Sequence, residues 1–302
     1  MAKNSNLQSA KTAKNDEFYT QLSDIENELK YYRKHFVGKV IYCNCDDARE
    51  SNFFKFFSMN FEFLGLKKLI ATGYKADGKG VKLVYEGDKN GNKIPDYDEI
   101  EVTELEGNGD FRSAECIELL KESDIVVTNP PFSLFREYVA QLVEYGKQFI
   151  IIGSQNAITY KEVFPLIKNN KLWLGLHLCK EFKQPNGEMK KFGNICWFTN
   201  LDHERRNQPM DLYMKYSNEY FPKYDNYDAI EVSKTCEIPM DFDGVMGVPI
   251  TFLDKYNPNQ FEIVGLMSGA KGENLTNGND GRAKFYVNNK GVYARILIKH
   301  RR

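Results

Sequence analysis

This chain of 302 residues lacks the long apolar runs and the charge imbalance that mark several large classes of protein. No apolar stretch approaches the roughly 20 residues that span a bilayer, and the start of the chain is polar rather than signal-like. We therefore expect a cytoplasmic protein without a membrane segment. The formal net charge of −1 excludes a uniformly basic nucleic-acid coat, so any nucleic acid must be bound by a local basic face.

Cysteine is also sparse, with six residues scattered along the chain. Cys43 and Cys45 form a Cys-x-Cys pair in a predicted strand, but no second pair with histidines at ligand spacing completes a zinc site. The acidic residues do not cluster around a lysine as they do in magnesium-dependent nucleases. We predict no metal, and we interpret the cysteines as buried reduced thiols.

Apolar strands alternate with amphipathic helices through the first 200 residues. The predicted elements are, in order, a helix over 17–36, a strand over 39–45, a helix over 46–66, a strand over 67–74, a hairpin within 78–108, a helix over 113–123, a strand over 124–128, a helix over 133–146, a strand over 148–154, a helix over 160–170 interrupted at Pro165, and strands over 171–178 and 193–200. This order indicates an α/β fold with a doubly wound, mostly parallel sheet covered on both faces. The aromatic stripe Phe53, Phe54, Phe57 and Phe61 is predicted to be core.

The composition of the chain changes near residue 200. Residues 1–16 are polar and are predicted to be a flexible segment. Residues 17–200 form the predicted sheet domain, with the hairpin inserted at about 78–108. Residues 201–302 are rich in Tyr, Gly and Asn turns, and we predict that they form a smaller accessory region.

A predicted strand runs directly into Asn129-Pro130-Pro131-Phe132. Two consecutive prolines cannot donate hydrogen bonds to a sheet, so the strand must stop in a stiff loop. The Asn129 amide oxygen and the Pro130 carbonyl can accept the two N–H groups of an exocyclic amine, which aims its lone pair at a methyl donor. Phe132 can stack on the base, which must be flipped out of a duplex. The other interpretation is a plain strand terminator with Phe132 in the core.

Four segments together, NDEFYTQ, VIYCNCDDARESNFFKFF, GDFRSAECIELL and TNPPFSLFREYV, resemble the EcoRI-type adenine-specific DNA methyltransferases. The resemblance extends from about residue 15 to the end. It implies methyl transfer from S-adenosylmethionine to N6 of adenine in a short duplex DNA target, within a restriction–modification system. A restriction endonuclease would then be paired with the chain by function, without direct binding. The resemblance also implies that the last strand of the sheet runs antiparallel. Target recognition would fall to the C-terminal region and the 78–108 hairpin.

The resemblance further implies which residues bind the cofactor. They are Phe18, Tyr19 and Thr20 of the EFYT segment, Asn44, Cys45 and Asp46 after the first strand, Asp110 and Phe111 of the GDFRS segment, and Asn129. Most methyltransferases carry a Gly-rich turn after the first strand, whereas this chain has Cys45-Asp46-Asp47-Ala48 there. The aspartates of both segments would also suit helix N-caps. The acidic residue that many relatives carry after the second strand is absent, since that strand ends at Gly73-Tyr74.

Basic residues are dense in the C-terminal region. The predicted DNA contacts are Arg205, Arg206, Arg282, Lys284, Arg295 and Lys299. A single surface lysine or arginine is usually only solvated, so the cluster indicates phosphate contact better than any one member. Two alternatives stay open: a methyltransferase acting on protein glutamine, RNA or cytosine N4, and a non-catalytic subunit that binds DNA or the cofactor.

Overall fold

A computed structural model describes residues 19–96, 98–184, 187–267 and 285–301. The chain forms two compact units. The first unit is built from residues up to Gln155 together with Gly175–Asp202, and the second from Asn156–Leu174 together with the chain from His203 onward. The composition of the chain gives no sign that 156–174 belongs with the C-terminal part, and the boundaries inferred from composition stay a prediction.

The first unit contains a nine-stranded sheet. Its strands are β1 (Tyr19–Thr20), β2 (Val40–Cys43), β3 (Lys68–Gly73), β4 (Val81–Tyr85), β5 (Ile100–Glu104), β6 (Ile125–Thr128), β7 (Gln148–Ser154), β8 (Trp173–Lys183, which starts in the second unit) and β9 (Met189–Thr199). Its helices are α1 (Leu22–Leu29), α2 (Arg33–Phe36), α3 (Asn52–Met59), α4 (Phe61–Leu64), α5 (Ala114–Glu122) and α6 (Phe135–Glu144).

The strands of this sheet lie in the order β1-β8-β9-β7-β6-β2-β3-β4-β5. The central strands β7, β6, β2 and β3 are parallel to one another, so their carboxyl ends meet at one edge. The last strand, β9, runs antiparallel to β7, as the family resemblance implied. The predicted hairpin is also present, since β4 and β5 pair antiparallel and extend the sheet beyond β3.

The core lies on the two faces of this sheet. β2 and β6 are buried along their whole length, which explains their continuous apolar sequences. The aromatic stripe of α3 and α4 is buried as predicted, and Phe53 packs edge-on against Trp197 with ring centroids 6.0 Å apart. Each fully buried phenylalanine contributes about 1.5–3 kcal/mol relative to an exposed one.

Two predicted helices are shorter than their sequences suggested. The helix expected over 17–36 is wrong at its start, because residues 19–20 form a strand that pairs with β8 and the helix begins only at Leu22. The helix expected over 46–66 begins at Asn52, because Ser51 accepts a hydrogen bond from the Phe53 amide and caps it. The first start is decided by a distant strand, β8, whereas the second is decided by a local cap at Ser51 that lies inside the predicted helix.

The second unit contains smaller sheets. Its elements are α7 (Phe164–Lys168), β10 (Ile230–Glu231), β11 (Met246–Pro249), β12 (Phe261–Met267), β13 (Tyr286–Val287), β14 (Lys290–Gly291) and β15 (Arg295–His300). Four of the strands form a sheet in the order β10-β11-β15-β12. Pro165 lies in the first turn of α7 instead of interrupting a longer helix, since a proline there costs no hydrogen bond. Among the described residues, no helix is both long and apolar enough to cross a membrane.

The cysteines differ from expectation at two positions. Cys45 lies beyond the end of β2 and is not part of the strand. Cys236 is exposed, whereas Cys43, Cys116 and Cys179 are buried thiols, as is Cys196.

Candidate active site

The loops after β2 and β6 are tied together at the carboxyl edge of the sheet. The two strands are neighbours, with Tyr42 opposite Val126, so Asn44 and Asn129 follow adjacent strand ends. The Thr128 hydroxyl donates a hydrogen bond to the Asn44 carbonyl, and the Tyr138 hydroxyl of α6 donates one to the Asn44 amide oxygen. Asn44 therefore links the loop after β2 to the strand and helix on either side of the tetrad.

The tetrad ends β6 as its prolines predict. Asn129 and Pro130 are buried, while Pro131 and Phe132 are half-buried. Phe132 opens a single 3-10 turn, residues 132–134, that leads directly into α6. Its ring packs edge-on against the ring of Phe192, with centroids 6.4 Å apart. The ring is thus held against the core while part of it stays exposed at the edge of the sheet.

Cys45 makes the turn that a glycine makes in most methyltransferases. Its φ is +69°, in the left-handed region that costs a residue with a side chain about 1–2 kcal/mol. Burial raises the pKa of the Cys45 thiol well above its usual value. Burial therefore favours the neutral thiol, and the residue shapes the loop through its backbone conformation.

Asp46 stabilises the N-terminus of α3 indirectly, through a hydrogen bond with the capping residue Ser51. Its Oδ2 accepts a hydrogen bond of 3.1 Å from the Ser51 hydroxyl, and Ser51 in turn caps the helix. Asp46 is 7% exposed. Asp47 accepts a bond of 2.9 Å from the Arg49 amide. The N-cap of α3 is thus Ser51, and neither aspartate takes that position.

Three glycines pack the backbone closely around the carboxyl end of β3, beside this turn. A Cβ at Gly73, the last residue of β3, would lie 2.9 Å from the Ala48 amide nitrogen. A Cβ at Gly80 would lie 2.7 Å from the Gly73 carbonyl oxygen, and Gly109, with φ +80°, approaches the same oxygen. The close backbone packing at this end of the sheet therefore depends on residues without side chains at all three positions. The sequence carries only a weak signal of this packing, namely the Gly73-Tyr74 pair that ends the second predicted strand.

The Asp110-Phe111 segment lies against α6. Arg112 donates to both carboxylate oxygens of Asp110, at 2.8 and 2.6 Å, and this guanidinium lowers the pKa of Asp110. The Phe111 ring packs edge-on against Tyr138 at 5.0 Å, and Gln141 donates to the Phe111 carbonyl at 3.2 Å. The N-cap of α5 is Ser113, so Asp110 does not fill that position. Tyr138 thereby joins this segment to Asn44.

The N-terminal segment reaches the same end of α3. Thr20 pairs with Phe182 of β8, and its carbonyl accepts a bond of 2.7 Å from the Asn52 side chain, next to the Ser51 cap. The Thr20 hydroxyl is buried and has no hydrogen-bond partner among the described residues. Tyr19 is half-buried beside it, and Phe18 lies outside the described residues.

These groups fit S-adenosylmethionine chemically. The cofactor presents an ammonium, a carboxylate, ribose hydroxyls and an adenine ring. Asp46 and Asp110 offer carboxylate acceptors, and the Thr20 hydroxyl is a buried group still able to bond. Among the described residues, no group of three or more His, Cys, Asp or Glu side chains is arranged to hold a metal ion.

The residues predicted to contact DNA lie in different environments in the structure. Arg206 is stacked over the Trp173 ring at 3.8 Å and donates to Asn170 at 3.4 Å, and Arg205 lies beside it in a 3-10 turn, residues 204–207. Lys299 is exposed on β15. Arg282 and Lys284 lie outside the described residues.

Arg295, predicted as a DNA contact, is paired within the second unit. Its guanidinium donates to both oxygens of Glu231, with an Nη2–Oε1 distance of 2.6 Å, and the two side chains are only 15% and 8% exposed. The residue therefore holds a buried ion pair inside the second unit, which argues against a phosphate contact. A β-strand pattern shows that residue 295 is in a strand but does not show which face carries the partner.

The sequence matches known proteins over nearly its whole length. Residues 6–301 match the family described as adenine-specific methyltransferase EcoRI. The chain is 50% identical to Type II methyltransferase M.EcoRI of Escherichia coli, covering 100% of this chain and 98% of that one. It is 41% identical to Type II methyltransferase M.MpnI of Mycoplasma pneumoniae, covering 97% of each, and 40% identical to Type II methyltransferase M.MgeORF184P of Mycoplasma genitalium, covering 96% and 97%.

Proposed function

Because this chain belongs to the family of EcoRI adenine-specific methyltransferases, we propose that it transfers a methyl group from S-adenosylmethionine to N6 of an adenine in a short DNA recognition sequence. The observation that carries the proposal is the intact Asn-Pro-Pro-Phe loop at the carboxyl end of β6, tied to the loop after β2 by Thr128 and Asn44. This contact supports the proposal, because the residues that we propose orient the amine then lie beside the segment expected to hold the cofactor.

Asn129 and Pro130 orient the amine. The adenine NH2 is a weak nucleophile because its lone pair is delocalised into the ring. When the Asn129 amide oxygen and the Pro130 carbonyl each accept one N–H, the nitrogen is drawn toward a tetrahedral geometry and its lone pair faces the methyl donor. The gain comes from fixed hydrogen-bond acceptors, so no general base with a shifted pKa is required.

Phe132 receives the flipped base. An enzyme acting on an amino group inside a duplex must extrude the nucleotide, which costs a few kcal/mol. Stacking of the extruded base on an aromatic ring stabilises the flipped state by about 1–3 kcal/mol. The Phe192 ring fixes the Phe132 ring from one side, so its exposed part offers a surface that is already oriented.

The cofactor is held by groups from three segments. When bound, it supplies an activated methyl group on a sulfonium centre. Asp46 and Asp110 are suited to its ammonium and ribose hydroxyls, and Thr20 with Tyr19 to its methionine end. Phe111 is buried against Tyr138, so it acts by fixing the position of Asp110 more than by exposing its own ring.

The biological setting follows from the family. The chain's relatives are Type II methyltransferases, and we propose that this chain likewise protects host DNA against a restriction endonuclease of the same specificity. The two enzymes would be paired through their shared DNA sequence and would not bind each other.

The experiment is product identification. Purified protein is incubated with plasmid DNA and S-adenosylmethionine labelled in the methyl group, and the DNA is digested to nucleosides. The expected product is N6-methyladenine. Label in N4-methylcytosine, in RNA or in protein would assign the chain to one of the other amino-methyltransferase classes, and no label would indicate a binding subunit.

A further inference from the structure

Strands β8 and β9 form an arm that continues past the edge of the sheet where the tetrad lies. β9 pairs with β7 only over its last residues, and Ser154 at the end of β7 lies opposite Ile195. Residues 189–194 therefore project beyond β7. Lys190 lies five residues past Ile195, or roughly 17 Å, since a strand rises about 3.3 Å per residue.

The projecting part of the arm contacts the tetrad through aromatic rings. Phe192 packs edge-on against Phe132 at 6.4 Å and against Phe182 of β8 at 5.6 Å. The ammonium of Lys190, two residues before Phe192 and so on the same face of the strand, lies 5.3 Å from the Phe192 ring centroid. The Lys190 charge is therefore within about 12 Å of the Phe132 ring.

The neighbouring lysine, Lys191, lies on the other face of β9. Alternation along the strand places Lys191 on the opposite face, where its Nζ lies 2.9 Å from Glu181 of β8. Both lysines are exposed and carry the same charge. Lys190 lies on the face of the strand that carries Phe192, and Lys191 lies on the opposite face. The chain thus supplies its own matched control.

We propose that Lys190 contacts a backbone phosphate of the DNA strand that carries the target adenine, next to the flipped nucleotide. This rests on the proposed function, because the position of the phosphate follows from a base stacked on Phe132. Such a base keeps its own sugar and flanking phosphates close to the tetrad. The arm then belongs to the DNA-binding surface, and it positions DNA without reading sequence, as phosphate contacts do.

The first test compares Lys190→Ala with Lys191→Ala. Dissociation constants are measured against salt concentration with S-adenosylhomocysteine present, on a duplex containing the target and on a scrambled duplex. Removing one phosphate contact lowers the slope of log K against log salt by about 0.9. We expect this loss for Lys190→Ala on both duplexes, a much smaller change for Lys191→Ala, and a wild-type slope for Lys190→Arg.

The second test removes the phosphate charge from the DNA. The methylated adenine is first mapped, and a single neutral methylphosphonate is placed beside it or six base pairs away. The flanking substitution should weaken the wild type but add no further loss to Lys190→Ala, whereas the distant one should affect both proteins equally.

The outcomes separate this inference from the proposed function. DNA methylation by the wild-type protein tests the function by itself. If the wild type methylates adenine and folded Lys190→Ala keeps the full salt slope, only the inference about the arm is rejected. Equal slope losses in Lys190→Ala and Lys191→Ala would also reject it, because they would show a nonspecific effect of arm charge.

Discussion

Thr128 donates its side-chain hydroxyl to the backbone carbonyl of Asn44, so the strand that carries the catalytic loop is bonded to the loop expected to hold the cofactor. Both residues are buried, at 0% and 3% exposure. A buried carbonyl left without its donor costs about 1–3 kcal/mol. The bond therefore fixes the position of Asn44 relative to Asn129.

Thr128→Val should remove this bond with little change of volume. We expect a loss of about 1–3 kcal/mol in the free energy of unfolding and a weaker S-adenosylmethionine affinity. Thr199→Val is a control for loss of a buried hydroxyl away from the site, since Thr199 is equally buried in the same sheet and donates to the Phe149 carbonyl at 2.8 Å, near the opposite edge. Its hydroxyl also accepts from the Leu201 amide at 3.0 Å, so its loss of stability should be at least as large. A loss of cofactor affinity in Thr128→Val that Thr199→Val does not show would support the account, and equal cofactor affinities would contradict it.

Gly73→Ala should displace the turn after β2. A Cβ there would lie 2.9 Å from the Ala48 amide nitrogen, so the Cys45–Ala48 backbone must shift. We expect S-adenosylmethionine binding to weaken several-fold by calorimetry. Gly107→Ala is the control, because a Cβ at Gly107 meets nothing within 4 Å. Unchanged cofactor affinity in Gly73→Ala would mean that the cofactor does not use this turn.

Asp110→Asn should alter the acid stability of the protein. The Arg112 guanidinium lowers the pKa of Asp110 in the folded state, so the pair stabilises the fold above the unfolded pKa of about 3.9. That stability is lost as pH falls through the lowered folded pKa. We expect the variant to be less stable at pH 7 by at most about 1 kcal/mol, because the pair is partly exposed. Urea unfolding from pH 7 to pH 3 should show this difference shrinking in the acid range, and a constant difference would refute the pairing.

Phe132→Ala should impair base flipping. The loss of a stacking surface is worth about 1–3 kcal/mol, and Phe132→Trp should lose less. A fluorescent adenine analogue at the target position reports extrusion of the base directly. Phe63→Ala is a control for removal of an exposed ring, since Phe63 is 66% exposed on α4, which leads into the opposite end of β3. If Phe132→Ala and the wild type give the same fluorescence change, the ring has a purely structural role.

The features that were predictable from sequence are those in which a local pattern determines the outcome. Continuous runs of β-branched residues predicted the buried parallel strands. The two prolines after Asn129 predicted the end of β6 and the loop at its carboxyl end. The stripe of phenylalanines in α3 and α4 gave the core face. In each case neighbours in the chain are enough to fix the structure.

The features that were not predictable depend on distant partners. Tyr19 and Thr20 precede the residues with helical spacing and were predicted as part of that helix, but they form a strand because they pair with β8. Gly73, Gly80 and Gly109 converge only after the segments that carry them have folded. Arg295 has the sequence context of a surface cation, but Glu231 lies 64 positions earlier and binds it inside the second unit.

The Arg295 pair also changes how the C-terminal charges should be tested. Replacing one partner of a buried ion pair leaves the other uncompensated and costs about 3–5 kcal/mol. An alanine at Arg295 would therefore confuse loss of folding with loss of DNA binding. Lys299 is exposed on the same strand and is the cleaner probe of phosphate contact there.

The most direct measurement of the central claim is the single-turnover rate of N6-adenine methylation by Asn129→Ala, at saturating DNA and S-adenosylmethionine. The account predicts a fall of roughly a hundredfold or more, as for loss of other preorganised hydrogen-bonding groups, with cofactor affinity nearly unchanged. A folded Asn129→Ala protein that methylates adenine at close to the wild-type rate would contradict it.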